Sequence, residues 1–217
     1  MAIPEYKILR LKRDFCIIDP AWDWSNVPSV PIQNYLWVNN GYRPEVEVRL
    51  CYSKRFIYVH FRVSERRIRA RCTRFQDPVY KDSCVEFFVD PFPEKKLGYI
   101  NIETNALGAM LIAIGQGQEK RTPLKKADLK HLEMAASVKN PVNGFHGAGF
   151  WTLSYKLPLS LFAKYYGERL RPGRQAMGNF YKCGDETEFP HYGTWSRVDS
   201  PRPDFHRPEY FGKIIFM

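Results

Sequence analysis

Four polar side chains recur at alternate positions between Gly98 and Gly108. They are Tyr99, Asn101, Glu103 and Asn105, and isoleucine or threonine stands between them. An extended chain directs successive side chains to opposite faces, so the four share one face of a half-buried strand. Amide and carboxylate groups on one face suit a ligand that carries many hydroxyl groups. The alternative that periodicity leaves open is the solvated outer face of an antiparallel sheet.

A second strand pattern, with Glu86 at its centre, immediately precedes the first. The connection 90–98 is short and contains prolines, which favours two adjacent antiparallel strands. If their registers agree, Glu86 shares a concave surface with the amides and with Glu103. Two carboxylates could also act as the acid and the base or nucleophile of a glycoside hydrolase, although sequence spacing does not establish their separation.

The elements that must position these residues are short strands. Pro and Gly interrupt the chain about every ten residues, and runs rich in Val, Ile, Tyr and Phe lie between them. This pattern predicts an all-β fold, an antiparallel β-sandwich of jelly-roll or immunoglobulin-like type, with one short helix at 158–167 and long loops at 116–130 and 184–192. The predicted strands are 46–52, 55–63, 84–90, 99–105, 109–114, 133–139, 151–157, 176–182, 193–197 and 213–216.

Length and composition are those of one folded domain spanning residues 1–217. The chain is 44% hydrophobic and 15% aromatic, and no stretch approaches the roughly 20 apolar residues that cross a bilayer. We therefore expect a soluble protein without a membrane partner. In the first 40 residues, Trp22, Trp24 and Trp37 stand among prolines, and we expect them to pack over the sandwich rather than to form a sugar platform.

The five cysteines are odd in number and show no CxxC or Cys/His spacing, so neither a disulfide framework nor a zinc site is predicted. Cys51 and Cys84 fit buried thiols. The first six residues lack the features of a secretory signal, which together with free thiols favours the cytoplasm. A signal already removed from the chain would leave the same sequence.

The formal charge of +10 raises the question of nucleic acid. Five arginines lie within 65–74. A basic cluster can bind phosphates, but no helix-turn-helix, zinc finger or RNA-binding sheet motif accompanies it. We therefore predict a solvated basic strand and loop, and no nucleic-acid partner.

Several motifs resemble those of family 9 carbohydrate-binding modules. Asp82-Ser-Cys-Val-Glu-Phe-Phe-Val-Asp90 resembles the central strand motif of that family, whose β-sandwich is related to the DOMON group of sugar- and haem-binding domains. Residues 99–108 resemble the next strand. Segments 179–185, 191–196 and 204–212 resemble the closing third of a branch of small stand-alone proteins. The resemblance runs from about Trp22 to the C-terminus.

The resemblance implies a binding site. In the family, two aromatic side chains, usually tryptophans, clamp a terminal sugar while a carboxylate and basic or amide groups bind its hydroxyls. It places Tyr80 and Phe205 at the clamp, Glu86 at the carboxylate and Lys182 in the basic role, whereas Glu103 occupies the place of a family arginine. Smaller rings at the clamp leave two interpretations open, a different sugar or none.

Three further candidates come from the C-terminal motifs. His191 and His206 suit ligand contact, whereas Trp195 fits the core better than a platform. A metal site formed by the two histidines lacks a third ligand at suitable spacing. No other cofactor is predicted; the resemblance allows calcium, but no EF-type loop assigns its ligands.

The resulting prediction is non-catalytic binding of a small sugar or a glycan terminus in carbohydrate catabolism. Family 9 modules accompany glycoside hydrolases, which implies such a partner, and do not themselves cleave. Nucleophile, phosphate-loop and dinucleotide motifs are missing from the sequence. A glycoside hydrolase is the first alternative. A haem-binding DOMON-type domain is the second, and would require a Met and a His such as His60 as axial ligands.

Overall fold

The computed structural model describes residues 3–19 and 21–217. Met1 and Ala2, which begin the segment considered above for a secretory signal, lie outside the described residues. Short strands dominate, and one α-helix, α1 (Ser160–Tyr166), is present in the described part of the chain. The strands are β1 (Glu5–Arg10), β2 (Ser29–Ile32), β3 (Asn34–Tyr35), β4 (Glu45–Tyr52), β5 (Phe56–Ser64), β6 (Arg67–Ala70), β7 (Cys84–Asp90), β8 (Tyr99–Asn105), β9 (Met110–Gly115), β10 (Arg121–Pro123), β11 (Glu133–Ala136), β12 (Val142–Phe145), β13 (Trp151–Pro158), β14 (Gln175–Cys183), β15 (Tyr192–Thr194) and β16 (Gly212–Phe216).

The strands form two layers that share one strand. The first layer runs β10-β9-β8-β7-β14-β16-β1, and the second runs β1-β4-β5-β13-β11. Neighbours are antiparallel except at β1, which pairs in parallel with β16 over Glu5–Ile8 and then with β4 at Leu9 and Arg10. A strand that changes partner in this way joins the layers and curls the sheet around one core.

The core lies between the two layers. Phe87, Ile102 and Phe180 enter it from the first layer, and Phe61 and Leu153 from the second, all without exposed surface. Burying one such side chain contributes roughly 1.5–3 kcal/mol. The opposite faces of β7, β8 and β14 are therefore directed away from this core.

The predicted sandwich is confirmed, and the strands 84–90 and 99–105 have the predicted ends. The predicted helix is α1, which ends at Gly167 in the left-handed conformation (φ 70°) that a C-terminal glycine adopts readily. Several regions are more ordered than predicted, including β12, which pairs with β6. The loop 116–130 contains β10 and a 3₁₀ turn, and the first 40 residues contain β1, β2 and β3. The pairings of β2, β3 and β10 are short and lie at the margins of the sheet, and such strands carry little alternation in sequence.

Two of the N-terminal tryptophans pack as predicted. Trp22 stacks on Phe15 with ring centroids 3.7 Å apart, and Phe15 stacks on Tyr58 of β5. Trp24 stacks on His60 at 4.8 Å. This aromatic cluster fastens the N-terminal segment to the second layer.

Acidic partners neutralise part of the arginine-rich segment. Arg69 of β6 pairs with Asp82 and with Glu186, the latter at 2.8 Å, and Arg67 pairs with Glu188. This pairing agrees with a structural use of the cluster, and the absence of a nucleic-acid partner stays a prediction. Of the helices in 3–19 and 21–217, none combines the length and apolar character needed to cross a bilayer.

Candidate functional site

The predicted polar row lies on the outer face of the first layer. In the ladder, Glu86 stands opposite Glu103 on one side and opposite Tyr181 on the other. Directly opposite residues in antiparallel strands share a face, so both carboxylates point away from the core. The expected shared face of Glu86 and Glu103 is thus present. Their side chains are not solvated, however, because only 3% and 2% of each residue is exposed.

Loops cover this face and leave a pocket of about 190 Å³. The cover comes from the 3₁₀ turn 79–81, the β9–β10 hairpin and segments 183–192 and 203–206. Five predicted site residues line the pocket: Tyr80, Glu86, Glu103, Phe205 and His206. The structure thereby brings together residues that are up to 126 positions apart in the sequence.

Arg121 enters the pocket from β10 and was not predicted. Its Nη1 lies 3.1 Å from Oε1 of Glu103, and Asn101 Nδ2 donates to the same oxygen at 2.9 Å. Burial raises the pKa of Glu103, while Arg121 and Asn101 oppose that rise. The hairpin can pair this closely because Gly115, opposite Arg121, has no Cβ; one there would lie 2.0 Å from the carbonyl oxygen of Lys120.

The environment of Glu86 differs from that of Glu103. Cys183 Sγ donates to its Oε1 at 3.2 Å, and no Lys, Arg or His of the described ranges pairs with it. Burial is the main cause that raises the pKa of Glu86 well above its usual value, and Cys183 and Glu103 add to the effect. The two facing carboxylates are therefore electrostatically unequal.

His206 connects Arg121 to the sheet. Arg121 Nη1 lies 3.3 Å from His206 Nε2, and Tyr99 Oη lies 2.7 Å from Nδ1. Because a guanidinium only donates, Nε2 accepts and the ring proton is on Nδ1, directed to Tyr99. Burial lowers the pKa of His206 to about 3, so this neutral tautomer persists across the physiological range.

Aromatic rings form the walls. Phe205 stacks on Tyr181 with centroids 4.2 Å apart and an interplanar angle of 14°, which fixes its orientation. Tyr192 meets Phe205 edge-on at 6.3 Å. Tyr80, half-buried, lines the same pocket. Trp37, expected to pack on the sandwich, lies behind Phe205 at 6.0 Å and donates to the carbonyl of Ser200.

Asn101 and Asn105 share the face but do not line the pocket. Asn101 is fully buried and orients Glu103. Asn105 Nδ2 donates to Asp82 and to the carbonyl of Cys72, and its Oδ1 accepts from the amides of Leu107 and Ala109. With these bonds made, Asn105 holds the β8–β9 turn rather than facing a ligand.

Three further predicted site residues require correction, because Lys182, His191 and Trp195 lie on the core side of the first layer. Lys182 follows Tyr181 by one position and so points to the opposite face. Its Nζ lies 3.3 Å from Glu65 and 2.7 Å from His191 Nε2. Burial lowers the pKa of His191 to about 2. Trp195 packs on Phe180, 5.4 Å away, as the core interpretation expected.

Of the metal predictions, the structure bears on the site formed by two histidines, while calcium stays a prediction. His191 and His206 occupy opposite sides of the first layer, which removes them as a shared site. In residues 3–19 and 21–217, one group of at least three His, Cys, Asp or Glu side chains is close enough to hold an ion: Cys84, Glu86 and Cys183, whose ligand atoms lie within 4.8 Å of one another. Two thiols do not fit calcium, which prefers six to eight oxygens. Calcium therefore has no assigned ligands.

The alternative axial histidine, His60, lies elsewhere. Its Nδ1 shares a hydrogen bond of 2.7 Å with Ser154 Oγ beneath Trp24, in the second layer. It is not part of the pocket. No contact of His60 favours the haem alternative, and the relation to DOMON domains stays a prediction.

Comparison with known families decides the classification. The model of carbohydrate-binding family 9 matches residues 17–216. The chain belongs to carbohydrate-binding family 9. Almost the whole length takes part in this match, including every strand that forms the pocket. No curated protein matches the chain significantly.

Solved structures of other proteins share the fold. A crystal structure from Bacteroides uniformis ATCC 8492, of a protein proposed to bind carbohydrate, is 28% identical over 100% of both chains, with a TM-score of 0.83. A family 9 module of Caldicellulosiruptor kristjanssonii in complex with glucose is 12% identical, covers 99% of this chain and 96% of its own, and has a TM-score of 0.65. The same organism's module in complex with cellotriose is 11% identical, covers 98% and 93%, and has a TM-score of 0.62. At such identities, the Caldicellulosiruptor structures establish similarity of fold alone.

Proposed function

We propose that this family 9 protein binds a small sugar or the terminal residue of a glycan in the outer pocket, and does not transform it. The observation that carries the proposal is the meeting of Tyr80, Phe205, Glu86, Glu103 and Arg121 around one cavity. Aromatic faces bury the C–H face of a sugar, and charged planar groups hydrogen-bond its rim.

The size of the cavity supports a single sugar unit. At about 190 Å³ it is smaller than the roughly 300–1,000 Å³ typical of pockets for drug-sized ligands. A longer glycan would place one terminal residue inside and extend into solvent. The structures with bound glucose and cellotriose show that other family 9 modules accept ligands of this class.

Arg121 takes the basic role that the sequence assigned to Lys182. The family arginine expected at the position of Glu103 is absent from that strand, but the Arg121 guanidinium reaches Glu103 from the neighbouring hairpin. Arg121 of β10 thus supplies the pocket with a positive charge and hydrogen-bond donors. The clamp rings are smaller than tryptophan, and because Arg121 supplies the basic group, we propose a sugar other than the usual one rather than an inactive site.

A glycan array followed by calorimetry on the purified chain tests this proposal. The wild type should bind at least one mono- or oligosaccharide. Tyr80→Ala should lower the affinity, whereas Tyr165→Ala, a half-buried tyrosine outside the pocket, should leave it unchanged. Absence of any sugar binding by the folded protein, or equal affinity in both variants, would contradict the site.

A glycoside hydrolase is the second candidate, because the two carboxylates are opposite neighbours with unequal environments. Such asymmetry separates a general acid from a nucleophile or base. Incubation with aryl glycosides should release no product if binding is the whole function. Turnover by the wild type that Glu86→Gln abolishes would make hydrolysis, rather than binding alone, the favoured function. Partnership with a glycoside hydrolase and a place in carbohydrate catabolism are further predictions from the resemblance.

A further inference from the structure

The floor of the pocket contains a pair of thiols beside a carboxylate. Cys84 of β7 stands directly opposite Cys183 of β14, and Glu86 is two positions along the same face. The two Sγ atoms and a carboxylate oxygen of Glu86 lie within 4.8 Å of one another. Each of the three residues is at most 3% exposed. They converge although 97 residues separate Glu86 from Cys183.

Protein groups leave this cluster poorly satisfied. The buried Glu86 carboxylate has no cation among the residues described, and its one hydrogen bond comes from the Cys183 thiol, a weak donor. Among the described residues, the two thiols also contact each other, and each makes a long contact of 3.7 Å with a carbonyl, Cys84 with that of Val85 and Cys183 with that of Tyr80. Ionising a buried carboxylate that has no cationic partner is costly. A bound cation would remove that cost.

The donor set indicates which cation. Two sulfurs and one carboxylate oxygen match the ligands of zinc-class divalent ions and do not match calcium or magnesium. Three protein ligands leave a tetrahedral ion one open position. Glu86 and Cys183 line the pocket, so that position would face the pocket, where water or another oxygen ligand can occupy it.

We propose that Cys84, Glu86 and Cys183 form a binding site for a zinc-class divalent cation at the base of the pocket. On binding, each cysteine releases its proton and coordinates as thiolate, with Glu86 as carboxylate, and no electron is transferred. Glu86 also belongs to the proposed sugar site. An ion bound there would therefore change which oxygen of Glu86 can accept a hydrogen bond from a sugar.

Cobalt substitution tests the site directly. The reduced, chelator-treated full chain should take up one Co²⁺ with sulfur-to-metal charge-transfer absorbance, and Zn²⁺ should displace it. Cys84→Ser and Cys183→Ser should each remove that absorbance. Cys51→Ser, a buried thiol in the separate aromatic cluster, should retain it. Glu86→Gln should weaken Co²⁺ binding at least tenfold.

Thermal unfolding provides a second measurement that does not depend on variants. Zn²⁺ should raise the melting temperature of the reduced wild type, since an ion that binds the folded state stabilises it. Folded wild type with neither charge transfer nor a Zn²⁺-dependent shift would overturn the inference. Equal Co²⁺ spectra in wild type and in a folded Cys84→Ser, Cys183→Ser double variant would do so too.

The two proposals can fail separately. Calorimetry of sugar binding with and without a chelator reports the sugar site, whereas the cobalt spectrum is recorded with no sugar present. Sugar binding by a protein that takes up no Co²⁺ would remove the metal site alone. Stoichiometric Co²⁺ uptake by a protein that binds no glycan would remove the sugar site alone.

Discussion

Glu86 and Glu103 face each other across β7 and β8, yet only Glu103 contacts a cation in the described chain. Both carboxylates are almost completely buried, so their difference depends on Arg121 rather than on exposure to water. The environment of each carboxylate is set by a residue from another element, Arg121 for Glu103 and Cys183 for Glu86.

Arg121→Ala should weaken both folding and sugar binding. It leaves Glu103 buried without its counter-ion, which should cost about 1–3 kcal/mol of unfolding free energy. Urea unfolding measures that cost, and calorimetry measures the affinity. Glu103→Gln combined with Arg121→Ala should recover part of the stability without restoring affinity. Full stability in the single variant would contradict the role given to the ion pair.

Phe205→Ala should affect stability more than Tyr80→Ala does. Phe205 is 9% exposed and stacked on Tyr181, and truncating a buried Phe costs about 3–5 kcal/mol when the cavity remains. Tyr80 is half-buried, so its truncation should lower the free energy of unfolding by less. Both should reduce sugar affinity by roughly 1–3 kcal/mol, as with other aromatic anchors. Comparable stability losses in thermal unfolding would show that the two rings are not held differently.

Lys182→Met should destabilise the protein without changing sugar affinity. Removing one partner of a buried ion pair leaves Glu65 charged in the core and typically costs about 3–5 kcal/mol. Lys182→Met with Glu65→Gln should be less harmful than the single variant. Affinity measured at a temperature where each variant is folded should match the wild type. A loss of affinity there would return Lys182 to the binding site.

Asp90→Asn should stabilise the protein above pH 6 and not at pH 4. Burial raises the pKa of Asp90 from its ordinary 3.8 to about 6. The folded state therefore binds a proton more tightly than the unfolded state, and stability falls as pH rises between those values. Asn keeps the acceptor used by the Phe92 amide but carries no charge. Because Asp90 is partly exposed, the full effect of the pKa shift is reduced, and the free energy of unfolding should rise by about 1–2 kcal/mol at pH 7.5.

Denaturant unfolding of wild type and Asp90→Asn at pH 4 and 7.5 measures this difference. Asp199→Asn is a suitable control, because Asp199 is largely exposed and its one ion pair within residues 3–19 and 21–217 is with Arg197 at 3.1 Å. The control should change stability little at either pH. A constant difference between wild type and Asp90→Asn across the pH range would show that Asp90 does not titrate as inferred.

Local pattern was sufficient for much of the fold. The strict alternation at Tyr99–Asn105 and the polar Glu86 within an apolar run placed β7 and β8 at their observed ends. Pro158 and Gly167 bracketed α1. β1 was missed because its role depends on its partners: it joins two layers by pairing in parallel with β16 and β4, and no local signal records such a crossing.

The sequence by itself determined which side chains share a strand face, because the two-residue alternation follows from the local geometry of an extended backbone. It therefore grouped Glu103 with Asn101 and Asn105 and carried the motifs of family 9, whereas the pairing of Glu86 with Glu103 depended on the register of β7 and β8. Only the tertiary structure decided which face the loops would cover and which distant groups would meet there. Arg121 reaches Glu103 across a hairpin, and Cys183 meets Cys84 across paired strands. Lys182, one position beyond Tyr181, turns to the core, since a single step along a strand reverses the face.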